Sequence, residues 1–242
     1  MGQAEFYGAG LPGVDTSDIL GKLVVLEGTD GVGRSTQLSI LKYWLEAQGH
    51  AVMNTELTES ELTGEGLKRA KDGHTLGPMT MSLFYATDLA DRLENMIIPA
   101  MRAGYIVLTD RYVYSLMVRA MVRGMDPEWV KKMYGFALKP HAVIYLKIEV
   151  PEIVPRVLHS SGFDFWESGM DLHLGEGYYD SFCEYQKRII SNLNLMADEY
   201  RFEVVDANRT IEEVSEDLKG RLTKLLEVGP TADLVAEAAK QK

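Results

Sequence analysis

The chain has 242 residues, 46% of them hydrophobic, enough for one large α/β domain or two small ones with real cores. Its formal net charge of −11 argues against nonspecific binding to nucleic acid or to an anionic membrane, while leaving room for a local basic pocket. The single cysteine, Cys183, excludes an internal disulfide, no apolar run reaches membrane-spanning length, and residues 1–21 lack the basic-then-apolar layout of a signal peptide. The expectation is a soluble cytoplasmic protein.

In chain order, residues 1–20 read as a peripheral N-terminal extension. The β-branched run after Gly21 then forms a first strand, and QLSILKYWLEAQG carries helical spacing. His50 to Thr55 gives a second short strand, and TESELTGEGLKRAKDG a loop leading into a helix. Residues 77–104 hold apolar positions at helical spacing (Leu83, Ala86, Leu89 and Ala90, then Ile97, Ile98 and Met101), and Gly104 ends this helix before the strand YIVLTD. Helices follow over 113–123 and 127–138, the latter with Pro127 in its first turn; next come the strand HAVIYLKI and the short helix PEIVPRVLHS. After an irregular Gly-rich stretch come the long amphipathic helix 178–200, a last strand FEVVDA and a helix from Thr210. Five short apolar strands separated mostly by helices imply a parallel sheet covered on both faces. With no internal repeat and no linker, one α/β domain over 21–228 is expected, leaving 229–242 as a weak terminal helix or frayed tail.

Two runs carry chemistry. LVVLEGTDGVGRST places Gly28, Thr29, Asp30, Gly31, Val32, Gly33, Arg34, Ser35 and Thr36 between a strand and a helix. Glycines let backbone N–H groups close on phosphate oxygens, and the helix N-terminus adds partial positive charge, so this is a phosphate-binding loop rather than a Gly-rich turn. Its cation is Arg34 where the usual pattern has lysine, a planar fork in place of a compact point charge. The second run is VLTDRYVYS: Asp110, Arg111 and Tyr112 follow the third strand and face the crevice beyond the strand ends. There Asp110 can hold Mg²⁺ and Arg111 can grip a phosphate; a strand-end salt bridge is the alternative reading.

LEGTDGVGRSTQ, LFYATDLADRLENMIIPAMRAGYIVLTDRYVYS, FALKPHAVIYLKI and VVDANRTIEEV together resemble the thymidylate kinases, from about Gly21 to about Leu226. The resemblance implies a P-loop kinase fold with a lid at about 160–177, and transfer of a phosphoryl group from ATP to dTMP with Mg²⁺. Gly28 to Thr36 would wrap the ATP phosphates, with Ser35 and Asp110 near the metal, and Asp30 at the acceptor's sugar and phosphate end. Arg34, Asp110 and Arg111 would be the catalytic groups, with Arg111 between donor and acceptor phosphates. Tyr85 would stack on thymine, with Asp88 one turn further along the same helix face, and Ala207 and Asn208 would pack on adenine. Apart from the resemblance, Arg92 lies two helical turns beyond Tyr85, where it fits either the acceptor site or a solvated helix face, and Arg156 is a candidate on the ATP side. Nucleotide substrates and a homodimer, through the helices after 79 and 113, are the partners implied, with no nucleic acid and no membrane.

Departures accompany the matches. Leu89 stands where the family has a base-reading arginine, Glu56, Leu57 and Thr58 replace a turn with a phosphate-binding arginine, and Asp164 to Glu167 replace a lid run with a catalytic one. Leu116 and Met117 replace small polar residues and Arg119 an aromatic; Arg92, Arg111, Arg119 and Arg156 are the arginines available to compensate. Two rivals follow: a nucleotide-binding protein with little kinase activity, and a kinase for another phosphorylated acceptor. The five histidines (50, 74, 141, 159 and 173) lack metal-ligand spacing, and Lys68, Arg69 and Lys71 read as a solvated helix face. Phe163, Phe165 and Trp166 read as lid-closing aromatics, and the twelve methionines as core filling.

Overall fold

The computed structural model of the chain describes residues 4–73, 76–160 and 162–227; His74 and the tail 229–242 lie outside them. Five parallel strands, β1 (Lys22–Gly28), β2 (Val52–Glu56), β3 (Ile106–Asp110), β4 (Ala142–Lys147) and β5 (Glu203–Asp206), form one sheet in the order β2-β3-β1-β4-β5. Between them run α1 (Arg34–Ala47), α2 (Gly64–Asp72), α3 (Pro78–Arg92), α4 (Ile98–Arg102), α5 (Val113–Val122), α6 (Pro127–Met133), α7 (Val150–His159) and α8 (Tyr178–Tyr200), and α9 (Ile211–Glu227) follows β5. The expected five-stranded α/β sheet with helices on both faces is thus the observed one.

Strand alternation explains the two layers. In β1, Leu23 and Val25 join Val107, Val143 and Tyr145 on one face under α3, α5 and α8, while Val24 and Leu26 join Ile106, Leu108, Ile144 and Leu146 on the other under α1, α7 and α9. Successive side chains of a strand point to opposite faces, so a strand buried on both sides is a continuous apolar run. Glu27 belongs by this period to the face of Leu23 and Val25, which aims a carboxylate at α5.

Two expectations are corrected. The helix expected over 77–104 runs from Pro78 to Arg102, not as one regular α-helix but as α3 and α4 joined by a π-helical turn at Leu93–Ile97. Pro99, with no N–H to donate, prevents the regular ladder from continuing through that point. The helix expected over 127–138 stops at Met133, and Gly135 allows the chain to turn and the N-terminal segment to approach at Gly8, where even a Cβ would lie 3.0 Å from the Gly135 Cα.

That segment is a strap rather than a periphery. Tyr7 and Gly8 donate backbone N–H groups to Ala137 and Gly135, and Lys139 donates to Glu5, around a bridge between Phe6 and Leu138. The Tyr7 ring stands edge-on to Tyr114 and Tyr200, its hydroxyl hydrogen-bonded to that of Tyr114, so residues near the start of the chain cover the inner layer between α5 and α8.

Candidate active site

Gly28 ends β1, Asp110 ends β3 and Glu56 ends β2, all at the carboxyl edge of adjacent strands. The loop from Gly28 to Gly33 turns back over this edge and packs on α7. A Cβ on Gly31, whose φ is +74°, would stand 2.8 Å from Val157 Cγ2, so both backbone angle and space require glycine there. Gly33 caps α1 with no side-chain hydrogen bond, leaving the first-turn N–H groups of α1 without a side-chain acceptor. Such a terminus is an anion site.

Arg34 is 8% exposed and folded into this loop. Its Nε donates to Asp110 Oδ1 at 2.5 Å, and its Nη1 donates to the Gly28 carbonyl at 2.7 Å and to that of Thr29. The planar fork therefore spans three acceptors, which one ammonium could not do with the same geometry. Asp110 Oδ2 accepts from Ser35 Oγ at 2.9 Å, so the two residues expected near Mg²⁺ meet. Among the described residues no group of three or more His, Cys, Asp and Glu side chains could hold a metal. One hydroxyl and one carboxylate nevertheless suit Mg²⁺, which takes oxygen ligands and is commonly held by one or two carboxylates plus substrate phosphates.

A second layer of charge surrounds the loop. Arg111, whose φ of +66° is strained for a residue with a side chain, donates its N–H to the Leu26 carbonyl and ion-pairs with Asp30. Arg119 reaches the other oxygen of Asp30 at 3.4 Å, and Arg34 lies 3.9 Å from the first. Three guanidinium groups thus converge on the carboxylates of Asp30 and Asp110, an excess of cation where a phosphate would lie. Burial, and after it the Arg119 guanidinium, push Arg111 down to about 9. An anion between the two arginines would relieve that repulsion.

Glu27 anchors the layer from beneath. It is fully buried and accepts from the Tyr112 N–H at 2.9 Å and the Ser115 N–H at 3.3 Å on one oxygen, and from Ser115 Oγ at 2.5 Å on the other. Burial raises its pKa, opposed by the Ser115 and Tyr112 hydrogen bonds. These bonds fix the start of α5, and with it the direction in which Arg111 and Arg119 point.

Arg156, on α7, donates to the carbonyls of Val32 at 3.4 Å and Ala207 at 3.2 Å, tying the phosphate loop to the turn after β5. Asn208 is exposed beside it, its N–H donating to Asp206.

The other side of the crevice departs from the sequence reading in three places. Tyr85 lines a narrow cleft, but Asp88 and Arg92 are fully buried beneath it and pair with each other at 2.9 Å. Asp88 accepts the backbone N–H groups of Thr58 and Ser60, and Arg92 donates to Thr55 Oγ1, so the pair holds the turn after β2 from inside. Leu89 is likewise fully buried in the inner core, so an arginine at that position would enter the core rather than the cleft. Positions at one-turn spacing share a helix stripe, and here that stripe faces the body of the protein. The expected dimer helix at 113 is also buried, with Val113 through Ala120 covered apart from partly exposed Arg119.

Sequence reasoning missed Arg123, Asp171 and Tyr185, while it singled out Arg119 and Trp166 with other roles. The structure brings all five to the cleft or its edge. Arg119 and Arg123 follow Ser115 at four-residue steps, a helix-stripe signal present in the sequence. Asp171 and Tyr185 carry no local signal. The lid is anchored: Ser181 Oγ donates to the Ser168 carbonyl, Gln186 Nε2 to that of Glu167, and Trp166 Nε1 to that of Lys71. Among the described residues, no helix is long and apolar enough to cross a membrane.

Comparison with known proteins agrees with this arrangement. A family model described as thymidylate kinase matches residues 26–218. The chain is 36% identical over 203 residues to the "Probable thymidylate kinase 2" of Saccharolobus solfataricus, covering 82% of this chain and 94% of that protein. It is 31% identical over 205 residues to a "Probable thymidylate kinase" of Pyrococcus abyssi, covering 82% and 94%, and 30% identical over 212 residues to one of Thermococcus gammatolerans, covering 83% and 95%. With its phosphate loop, its strand-end Asp110 and Arg111, and a match running through both, this chain belongs to the thymidylate kinase family.

Proposed function

We propose that the chain transfers the γ-phosphoryl group of ATP to dTMP, giving ADP and dTDP, with Mg²⁺ as the metal. The observation that carries this reading is the junction where Arg34 and Ser35 of the loop meet Asp110 of β3. It is a site for a polyphosphate and a metal at the edge of a sheet that also presents Arg111 and Arg119.

An acceptor phosphate oxygen attacks the γ-phosphorus in line as the bond to the bridging oxygen of ADP breaks. Backbone N–H groups of Gly28 to Thr36 hold the donor phosphates, and Arg34 neutralises charge on them by turning part of its fork from the Gly28 and Thr29 carbonyls. Ser35 Oγ and Asp110 would hold Mg²⁺, which when bound offsets charge on the phosphate oxygens. Arg111 and Arg119, which converge on Asp30, neutralise the transferred group from the acceptor side. Asp30 holds both arginines at the acceptor's sugar and phosphate end. Arg156, Ala207 and Asn208 bound the adenine end.

For the acceptor base, Tyr85 supplies a stacking face, while Asp88 and Arg92 act through the β2 turn rather than by touching the substrate. A cleft that reads a base by stacking distinguishes bases weakly. Selectivity for dTMP over other deoxynucleoside monophosphates is therefore shallow. A homodimer would use α3, where Met79 and Leu83 are each nearly half exposed on one stripe; sedimentation velocity of Leu83→Glu against the parent tests that face.

The function is tested by ADP production from ATP with dTMP, dUMP, dCMP and dGMP, with Mg²⁺ and with excess chelator. Turnover with dTMP that the chelator abolishes is expected. ATP binding without turnover on any monophosphate would instead favour a nucleotide-binding protein.

A further inference from the structure

One face of α5 ties three parts of the molecule together. Ser115, Arg119 and Arg123 recur at four-residue spacing, and each engages a carboxylate from a different element: Glu27 of β1, Asp30 of the phosphate loop and Asp171 of the lid. The first two serve the phosphate site. The third has no part in it.

The Arg123 side chain is 8% exposed, at the end of α5. It grips Asp171 with two parallel bonds, Nε to Oδ2 at 2.8 Å and Nη2 to Oδ1 at 3.1 Å. It also donates to the Tyr185 hydroxyl at 2.7 Å and to the Trp166 carbonyl at 3.2 Å. Its guanidinium carbon lies 5.8 Å from the Trp166 ring centre and 5.2 Å from that of Tyr185, within the range of cation–π attraction. Every one of these partners belongs to the lid or to α8, so the residue joins α5 to both. A bidentate arginine–carboxylate pair fixes orientation as well as distance.

The groups it holds are walls of the acceptor cleft. Tyr85, Arg119, Trp166 and Tyr185 line one narrow cleft, of about 30 Å³. On the far side of Trp166 lies a groove of about 610 Å³, bounded by Thr58, Lys68, Lys71 and Asp164. Trp166 separates the two spaces, held by Lys71 of α2 at its indole N–H and by Arg123 at its carbonyl.

We propose that Arg123, through Asp171, is a positioning residue for the acceptor: it latches the segment 164–172 and so sets where the Trp166 wall stands over the cleft. The proposal rests on the kinase reading above. It accounts for how a lid without an arginine of its own is held: the arginine comes from α5, and the lid supplies the carboxylate. Loosening the latch leaves the phosphate loop intact but lets the wall drift, so the acceptor binds less tightly while ATP is unaffected.

The test compares Arg123→Ala, Arg123→Lys, Asp171→Asn and the double variant Arg123→Ala/Asp171→Asn with the parent. Expected are a rise of about tenfold in the dTMP KM of Arg123→Ala and Asp171→Asn, the ATP KM staying within about twofold, and a double variant no worse than the worse single one. Arg123→Lys should recover part of the loss, because it restores charge but not the fork. Independently of turnover, Trp166 emission, read with Trp44→Phe and Trp129→Phe as background, should shift red in both single variants. An unchanged dTMP KM in an active Asp171→Asn enzyme, with Arg123→Ala impaired, would overturn the latch, since Arg123 would then touch the acceptor itself. Unchanged Trp166 emission in both single variants would overturn it as well, even if Arg123→Ala proved unstable. A parent without kinase activity would remove the functional reading, while the emission comparison would still decide whether Arg123 and Asp171 hold the lid.

Discussion

The two ends of the crevice are built differently. The phosphate end is made of two short continuous runs, Gly28 to Thr36 and Asp110 to Tyr112, brought together by the pairing of β1 with β3. The end proposed for the acceptor draws Tyr85 from α3, Arg119 from α5, Arg123 from the cap of α5, Trp166 from the lid and Tyr185 from α8. Binding a polyphosphate needs backbone N–H groups in a row, which only consecutive residues supply; shaping a cleft for a base needs walls, which any packed elements can supply. The first constraint leaves a motif in the sequence, and the second leaves freedom. On the reading proposed above, the arginines of the acceptor end come from α5 and the turn that closes it.

The largest expected effect tests what holds the acceptor end. Asp88 and Arg92 are both fully buried and carry the turn after β2. Arg92→Ala leaves a buried carboxylate without its cation and should cost about 3 to 5 kcal/mol of stability, read as a lower urea midpoint at unchanged slope. A loss below about 1 kcal/mol would mean that the turn is held by other contacts.

At the phosphate end, Asp110→Asn removes the charge shared by Arg34 and Ser35 with little change of volume. A fall in kcat of roughly 10²- to 10³-fold is expected, with the circular dichroism spectrum unchanged. Full activity would reduce the strand-end pair to a structural salt bridge.

Arg34→Ala should weaken ATP binding by about 1.5 to 3 kcal/mol, roughly ten- to a hundredfold by calorimetry. Arg34→Lys sharpens the comparison. Because the fork spans Asp110 and two loop carbonyls, lysine should leave acceptors unpaired and lower turnover by about tenfold. A faster lysine variant would show that the loop has kept lysine geometry.

The pH dependence of stability probes the layer beneath the loop. Burial raises the Glu27 pKa above its ordinary 4.5, so the folded chain keeps this proton to higher pH than the unfolded chain does. Below 4.5 the group is protonated in both states and its contribution is fully present; as pH rises from there through the folded value, the parent loses stability relative to Glu27→Gln, and above it the gap is constant. The slope within that window is about 1.4 kcal/mol per pH unit, measurable by urea unfolding of both proteins. Parallel pH profiles would show that Glu27 titrates alike in both states.

The smallest effect belongs to the base. Tyr85→Ala should raise the dTMP KM by the worth of one aromatic stack, about 0.5 to 1.5 kcal/mol, without moving the ATP KM. An effect on both substrates alike would place Tyr85 in the support of the fold.

How much of this was legible follows from the same contrast. The sheet could be read because β1, β3 and β4 are unbroken apolar runs closed by glycine or by a charged strand end. The phosphate loop could be read because Gly28 and Gly33, both at positive φ, stand at motif spacing before a cation and Ser35. The buried pair was misread: Asp88 and Arg92 share a helix stripe with Tyr85, and spacing alone does not say whether a stripe faces a cleft or a core. Leu89 lies where its apolar helical spacing put it, in the core. The break at Leu93–Ile97 was signalled by Pro99, and the early end of α6 by Gly135. The Arg123–Asp171 pair spans 48 residues and exists only once α5 and the lid meet. The N-terminal strap carries no motif at all; its seat on Ala137 and Gly135 depends on a close approach of two glycines.

The central claim is that both ends serve one transfer, from ATP held by Arg34 and Asp110 to dTMP held beyond Arg111 and Arg119. Its most direct test is to follow the label of γ-³²P ATP with dTMP and Mg²⁺ and separate the products. The account predicts label in dTDP in step with ADP formed. Label released only as inorganic phosphate, or left in ATP, would contradict it.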